Sequence, residues 1–300
     1  MNEVIRMEAH RPQGLFPPMV TPFLPDGELD QATLAREARR LLSAGVHGLS
    51  FGGSTGEGAL LSDRELETGV RTVRGQVGPQ VPILCGIIRN STRDGISAAL
   101  AAKRGGADYL MITPTYYHGA DARGNAAYYQ AIYKATGMKI IIYNVISNNP
   151  ILPAMVPELK KNPGLVGIKQ SVGGIHALAD MLLACGEEIS VFGAQDDVMY
   201  LSYLAGAKGA ISAILTLFPE ECVAQWRAVQ AGDLQTARSL NDRMLPVWRA
   251  IEGGAFPGRL KTALRIKGIE VGDARSPILP TDGDTEARIR ERMRQNGFIH

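Results

Sequence analysis

Short apolar runs alternate with amphipathic stretches from one end of this chain to the other. The runs are Gly14–Val20, Val46–Phe51, Val81–Gly86, Asp108–Ile112, Lys139–Asn144, Leu165–Lys169, Ile189–Gly193 and Gly209–Ser212. Runs this short and rich in Val, Ile and Leu predict parallel strands buried on both faces. The stretches between them carry helical periodicity. Leu34, Ala38, Leu41 and Leu42 fall at i, i+4, i+7 and i+8 and form one apolar face. Ser62 and Glu65 have capping-box spacing at the head of the next helix. Val223, Trp226 and Val229 mark another stripe after the eighth run. Eight strand–helix units within about 230 residues predict a (β/α)8 TIM barrel, whose usual length is ~250 residues. The barrel is expected over residues 1–232. Residues 233–300 are helical in pattern and read as a C-terminal helical extension, with no Pro/Ser-rich linker or low-complexity tract between the two.

Composition narrows the function without choosing it. Hydrophobic residues make up 45% of the 300 and charged residues 21%, as in an ordinary globular chain with a large core. A formal net charge of +2, from 32 basic and 30 acidic residues, gives no field that points to nucleic acid or a membrane surface. Met1 to Pro12 holds Glu3, Arg6, Glu8 and Arg11 and lacks the apolar core of a signal peptide. Cys85, Cys185 and Cys222 are odd in number, sit among apolar residues and have no CxxC spacing. They read as core residues of a protein in the reducing cytoplasm. The five histidines, His10, His47, His118, His176 and His300, show neither HxH nor HExxH spacing. No metal site or cofactor is therefore expected, which disfavours a metal-dependent aldolase.

Barrels of this kind build their active sites at the C-terminal ends of the strands. The segments just after the apolar runs are Gly52-Gly53-Ser54-Thr55-Gly56-Glu57, Thr113-Pro114-Thr115-Tyr116-Tyr117, Tyr143-Asn144 and Lys169. Lys169 closes the apolar run Leu165-Val166-Gly167-Ile168. An ammonium leaving a buried strand is costly to desolvate, which favours the neutral, nucleophilic amine that imine chemistry needs.

Taken together, Thr21-Pro22-Phe23 with Asp26-Gly27, Gly53–Glu57, Tyr143-Asn144-Val145 and Gly167-Ile168-Lys169 resemble the dihydrodipicolinate synthase/N-acetylneuraminate lyase family of class I, pyruvate-handling aldolases. The resemblance runs from about Gly14 to about Pro280. It implies that Lys169 forms a Schiff base with a 2-oxo acid and that Tyr143 passes protons. Ser54 and Thr55 would hold the carboxylate, Ser54 standing where the family usually has Thr. Thr55 would also link Tyr143 to a second tyrosine reaching in from a neighbouring subunit. Tyr116 is the choice for that tyrosine, with Tyr117 as the alternative. The resemblance further implies a homo-oligomer, a dimer or a dimer of dimers. Gly193 and Ile211 match positions whose backbone lines the pocket, and small 2-oxo acids and aldehydes are the expected partners.

One segment departs from the family. The synthases carry an arginine where this chain has Asn148, and a proline where it has Ile146. By that resemblance the arginine grips a carboxylate of the second substrate, so Asn148 is the substrate-binding residue expected there, and an amide does not replace a bidentate guanidinium–carboxylate contact. A lyase or aldolase acting on a different aldehyde, or a dehydratase of a 2-oxo sugar acid, is expected ahead of a true 4-hydroxy-tetrahydrodipicolinate synthase. A barrel that binds a metabolite without catalysis has no need of Lys169, Tyr143 and Thr55 together.

Overall fold

The computed structural model describes residues 11–300. His10 and most of the N-terminal stretch read above as lacking a signal peptide lie outside the described residues. The strands are β1 (Gly14–Leu15), β2 (Leu49–Phe51), β3 (Ile83–Ile87), β4 (Tyr109–Ile112), β5 (Lys139–Asn144), β6 (Leu165–Gln170), β7 (Ser190–Gly193) and β8 (Gly209–Ala210). They form one sheet in the order β1-β8-β7-β6-β5-β4-β3-β2, every pair parallel. A parallel bridge between Pro18 and Ser50, with Met19 N–H donating to the Ser50 carbonyl at 2.8 Å, joins the first strand back to the second and closes the barrel. The first strand is shorter than its apolar run because Pro17 and Pro18 have no N–H to continue a ladder.

The helices are α1 (Gln31–Ser43), α2 (Asp63–Val77), α3 (Thr92–Gly105), α4 (Ala122–Thr136), α5 (Val156–Leu159), α6 (Gly174–Cys185), α7 (Met199–Leu204), α8 (Ile214–Leu217), α9 (Pro219–Gln230), α10 (Leu234–Ile251), α11 (Phe256–Ile266) and α12 (Gly283–Gln295). Their starts are written locally. Asp30, Ser91 and Asp121 cap α1, α3 and α4 through their side chains, and Ser62 with Glu65 forms the full capping box of α2. None of the helices is long and apolar enough to cross a membrane among the described residues.

Strand alternation divides the core into two layers. Ile83, Cys85, Ile87, Leu110, Ile112, Ile140 and Ile142 belong to the layer that also holds Leu34, Ala38 and Leu41 of α1. Leu84, Met111, Ile141, Tyr143 and Phe192 alternate with them and, with Phe16, Val166 and Ile211, form the separate cluster that fills the barrel. All three cysteines are buried and free. Burial pushes the Cys85 thiol up to about 12 and that of Cys185 to about 11, so both behave as core residues.

The segment after residue 232 is not helical throughout. Between α11 and α12 the chain runs as an irregular strap over residues 267–282. Gly268, Gly272, Pro277 and Pro280 interrupt the helical pattern there. Gly272 lies at φ +69°, and a Cβ on it would sit 2.6 Å from the Phe23 carbonyl oxygen. The strap therefore lies directly against the loop that follows the first strand.

Candidate active site

Tyr143 and Lys169 face each other across the β5–β6 ladder as direct register partners near the C-terminal ends of their strands. Both are buried, and Lys169 Nζ lies 3.6 Å from the centroid of the Tyr143 ring. A phenol face is a good seat for a desolvated cation and holds the amine at a fixed height above the barrel core. The Tyr143 hydroxyl donates to Ser54 Oγ at 3.2 Å. The resemblance implied Thr55 as the hydroxyl that links the two tyrosines; here the neighbour of the Tyr143 hydroxyl is Ser54.

Ser54 and Thr55 sit on the tight turn after β2. Within it, Gly56 N–H and Gly58 N–H donate to the Gly53 carbonyl, and Glu57 N–H donates to the Ser54 carbonyl, at 3.0–3.1 Å. Those three amides are spent, whereas the N–H groups of Ser54 and Thr55 have no backbone acceptor among the described residues. Two adjacent free amides on a Gly-rich turn suit an anionic oxygen pair. The turn cannot be loosened by adding side chains, since a Cβ on Gly58 would lie 1.7 Å from the Gly52 carbonyl oxygen.

Tyr116 and Tyr117 lie on the loop after β4 and are exposed, Tyr117 more so, with its ring edge-on to His118. Asn90 Oδ1 accepts from both of their backbone N–H groups, at 2.9 and 3.0 Å. Asn148 Nδ2 donates to the Tyr116 carbonyl at 3.0 Å. Asn148, the residue expected to face the second substrate, thus also ties down the tyrosine loop. Neither tyrosine is brought against Tyr143 within one chain. Gly193 ends β7, the strand beside that of Lys169, and Ile211, just past β8 one strand further round, donates its N–H to the Gly193 carbonyl at 3.0 Å.

The imidazoles are scattered. His47 Nδ1 accepts from Leu15 N–H at 3.0 Å ahead of β2, and His118 and His176 are exposed. No group of three or more metal-ligating side chains is assembled among the described residues.

Sequence reasoning missed two groups. Asp196, three residues past Gly193, accepts from Ser212 Oγ at 2.5 Å and from Ile214 N–H at 2.7 Å. Burial pushes its carboxyl up to about 6, with those hydrogen bonds and the nearby Lys169 ammonium pulling the other way. The Asp196-Asp197 doublet at the end of a barrel strand was the available signal. The second group is Glu57, which pairs with Lys261 of α11 at 2.8 Å. Nothing in local spacing joins positions so far apart.

A closed parallel barrel carrying a lysine and a tyrosine side by side at its catalytic end defines a TIM-barrel enzyme of the lyase class. The model of the dihydrodipicolinate synthetase family matches residues 11–296. The 4-hydroxy-tetrahydrodipicolinate synthase of an Exiguobacterium species is 34% identical over 286 residues, covering 94% of this chain and 97% of that protein. Among solved structures, YagE, a prophage protein of the dihydrodipicolinic acid synthase family from E. coli K12 in complex with pyruvate, superposes with a TM-score of 0.91 at 25% identity, covering 96% of this chain and 99% of that one. The chloride-inhibited dihydrodipicolinate synthase of Acinetobacter baumannii, complexed with pyruvate, gives 0.90 at 27% identity, with 96% and 99% covered. The chain belongs to the dihydrodipicolinate synthetase family.

Proposed function

We propose that Lys169 forms a Schiff base with pyruvate or another 2-oxo acid, and that the enzyme makes or breaks a carbon–carbon bond beside it or dehydrates a 2-oxo sugar acid. The observation that carries this reading is the pairing of Lys169 with Tyr143 across β5 and β6 at the catalytic end of the barrel. The Lys169 amine adds to the ketone carbon, and the carbinolamine then loses its hydroxyl as water to leave a protonated imine. That imine is an electron sink: the adjacent carbon gives up a proton, and the resulting enamine attacks an aldehyde. Reversal of the same steps cleaves the bond. Tyr143 carries protons between carbinolamine and solvent, a role supported by its hydrogen bond to Ser54. The free amides of Ser54 and Thr55 receive the carboxylate.

Tyr116 completes the relay of a second copy of this chain in a dimer or dimer of dimers; its exposure on a clamped loop supports that role. Residues 233–300 serve as an extension of the barrel rather than as a separate catalytic domain. The relatives' names favour a second reading, condensation of pyruvate with aspartate semialdehyde. Asn148 weighs against it, being uncharged and committed to the Tyr116 carbonyl.

Borohydride reduction in the presence of pyruvate tests the main reading. The peptide containing Lys169 should gain the mass of a reduced pyruvyl adduct, and Lys169→Ala should lose it. Labelling of a different lysine would overturn the assignment.

A further inference from the structure

The proposed chemistry leaves unused a buried ion pair that joins α11 to the turn carrying Ser54 and Thr55. Glu57 and Lys261 meet at 2.8 Å with both side chains only 1% exposed. Lys261 Nζ also donates to the carbonyls of Thr21 at 2.7 Å and Asp273 at 2.8 Å, and lies 4.7 Å from the Phe23 ring centroid. The other Glu57 oxygen, Oε2, accepts from Arg275 N–H at 2.8 Å. The Arg275 side chain reaches the carbonyls of Gly27 and Leu60, pairs with Glu65 and stacks on Phe23. Thr21 Oγ1 in turn donates to the Gly56 carbonyl at 2.5 Å.

Two facts set this cluster apart from ordinary core packing. Burying a charge pair is expensive, and apolar side chains of similar volume often stabilise a fold as well or better. Burial indeed lowers the Lys261 ammonium's affinity for its proton, with Glu57 as the chief opposing influence. The backbone at Glu57 is also left-handed, at φ 56° and ψ 32°, a conformation that residues other than glycine seldom adopt. Strain of this kind persists only where the surroundings enforce it, and it collects at functional sites. Here Glu57 is gripped at both carboxylate oxygens, by Lys261 on one and by Arg275 N–H on the other. Its consequence is felt at once, because Glu57 N–H holds the Ser54 carbonyl and Glu57 is two residues from Thr55.

We propose that the Glu57–Lys261 pair is a positioning device that presents the Ser54 and Thr55 amides to the substrate carboxylate, making the C-terminal segment part of the binding site. This rests on the reading of Ser54 and Thr55 as the carboxylate cradle. Lys261's partners are Glu57, the carbonyls of Thr21 and Asp273 and the Phe23 ring, so it acts through the turn. The device selects for 2-oxo acids over ketones that lack the carboxylate.

Imine trapping at Lys169 in the full-length protein, titrated with pyruvate and separately with hydroxyacetone, tests the idea. In Lys261→Met the half-saturating pyruvate concentration should rise roughly 10-fold or more, the effect of misplacing a binding group by a fraction of an ångström. The trapped yield at saturating pyruvate should stay within about 3-fold of wild type, as for a loss confined to binding. Trapping of hydroxyacetone should not change. Glu57→Gln/Lys261→Met, which removes both charges and leaves no unpaired ion, carries the same expectation if the single variant melts below the assay temperature. A folded variant whose pyruvate dependence matches wild type, or one that loses both ketones equally, overturns the proposal. Wild type forming no adduct at Lys169 would bring down the proposed function as well, so the two failures are told apart.

Discussion

Tyr143→Phe separates the chemistry of the phenol from its packing. The Tyr143 ring is buried in the barrel's interior cluster beneath the Lys169 ammonium, and phenylalanine retains both the volume and the ring face. Only the hydroxyl and its 3.2 Å hydrogen bond to Ser54 Oγ disappear. A single intramolecular hydrogen bond contributes ~1 kcal/mol net. For a chain of this size that shifts the melting temperature by only about 2–4 °C. Turnover should respond very differently. Loss of a positioned proton-transfer group costs about 10²–10⁴-fold, equivalent to roughly 3–5 kcal/mol of transition-state stabilisation. The assay pairs steady-state kcat on the best 2-oxo acid and aldehyde combination with thermal melting and with borohydride trapping, which should still label Lys169. Turnover near wild type would remove Tyr143 from the mechanism. A large drop in melting temperature would refute the packing half of the reasoning, because the ring would then have needed its hydroxyl to stay in place.

Two further outcomes follow from residues around this pair. Asn148 offers no cation to a second carboxylate, so wild type should use aspartate semialdehyde poorly, and Asn148→Arg should raise kcat/KM for it by about 10²-fold. A wild-type kcat/KM of ~10⁴ M⁻¹s⁻¹ or more, ordinary for a natural substrate, would show that another residue supplies the contact. Asp196 titrates at about 6 in the folded protein against an ordinary 3.8, so its protonated form is the one the fold prefers. That contribution is fully present below about pH 4 and is lost as pH rises through about 6, a change on the order of 3 kcal/mol. Comparing melting temperatures of wild type and Asp196→Asn from pH 4 to pH 7 should show the wild type losing ground steadily; a constant difference would refute the shift.

Local pattern was enough for the barrel and for the strand positions of Tyr143 and Lys169. Strand residues alternate with period two and helices with period near four, so Leu84 and Cys85 declare opposite faces without reference to the rest of the chain. The same logic put Tyr143 and Lys169 at strand ends, where a parallel barrel opens its catalytic face. It also found the capping box of α2, whose hydrogen bonds span three residues.

What sequence left open was decided by contacts between distant segments. Lys261 lies on α11 of the C-terminal segment, and only folding brings it to Glu57, because α11 and the strap after it pack against the loops that follow β1 and β2. Asn148's hold on the Tyr116 carbonyl exists only because folding brings the loops after β4 and β5 together. Whether Ser54 or Thr55 stands beside Tyr143 depended on the twist of a turn fixed by Gly52, Gly58 and a left-handed Glu57. Periodicity reports which face of an element is apolar, and so it determined the elements and their layers. The direction of a polar side chain at a loop is set by partners far along the chain, and those exist only once the barrel has closed.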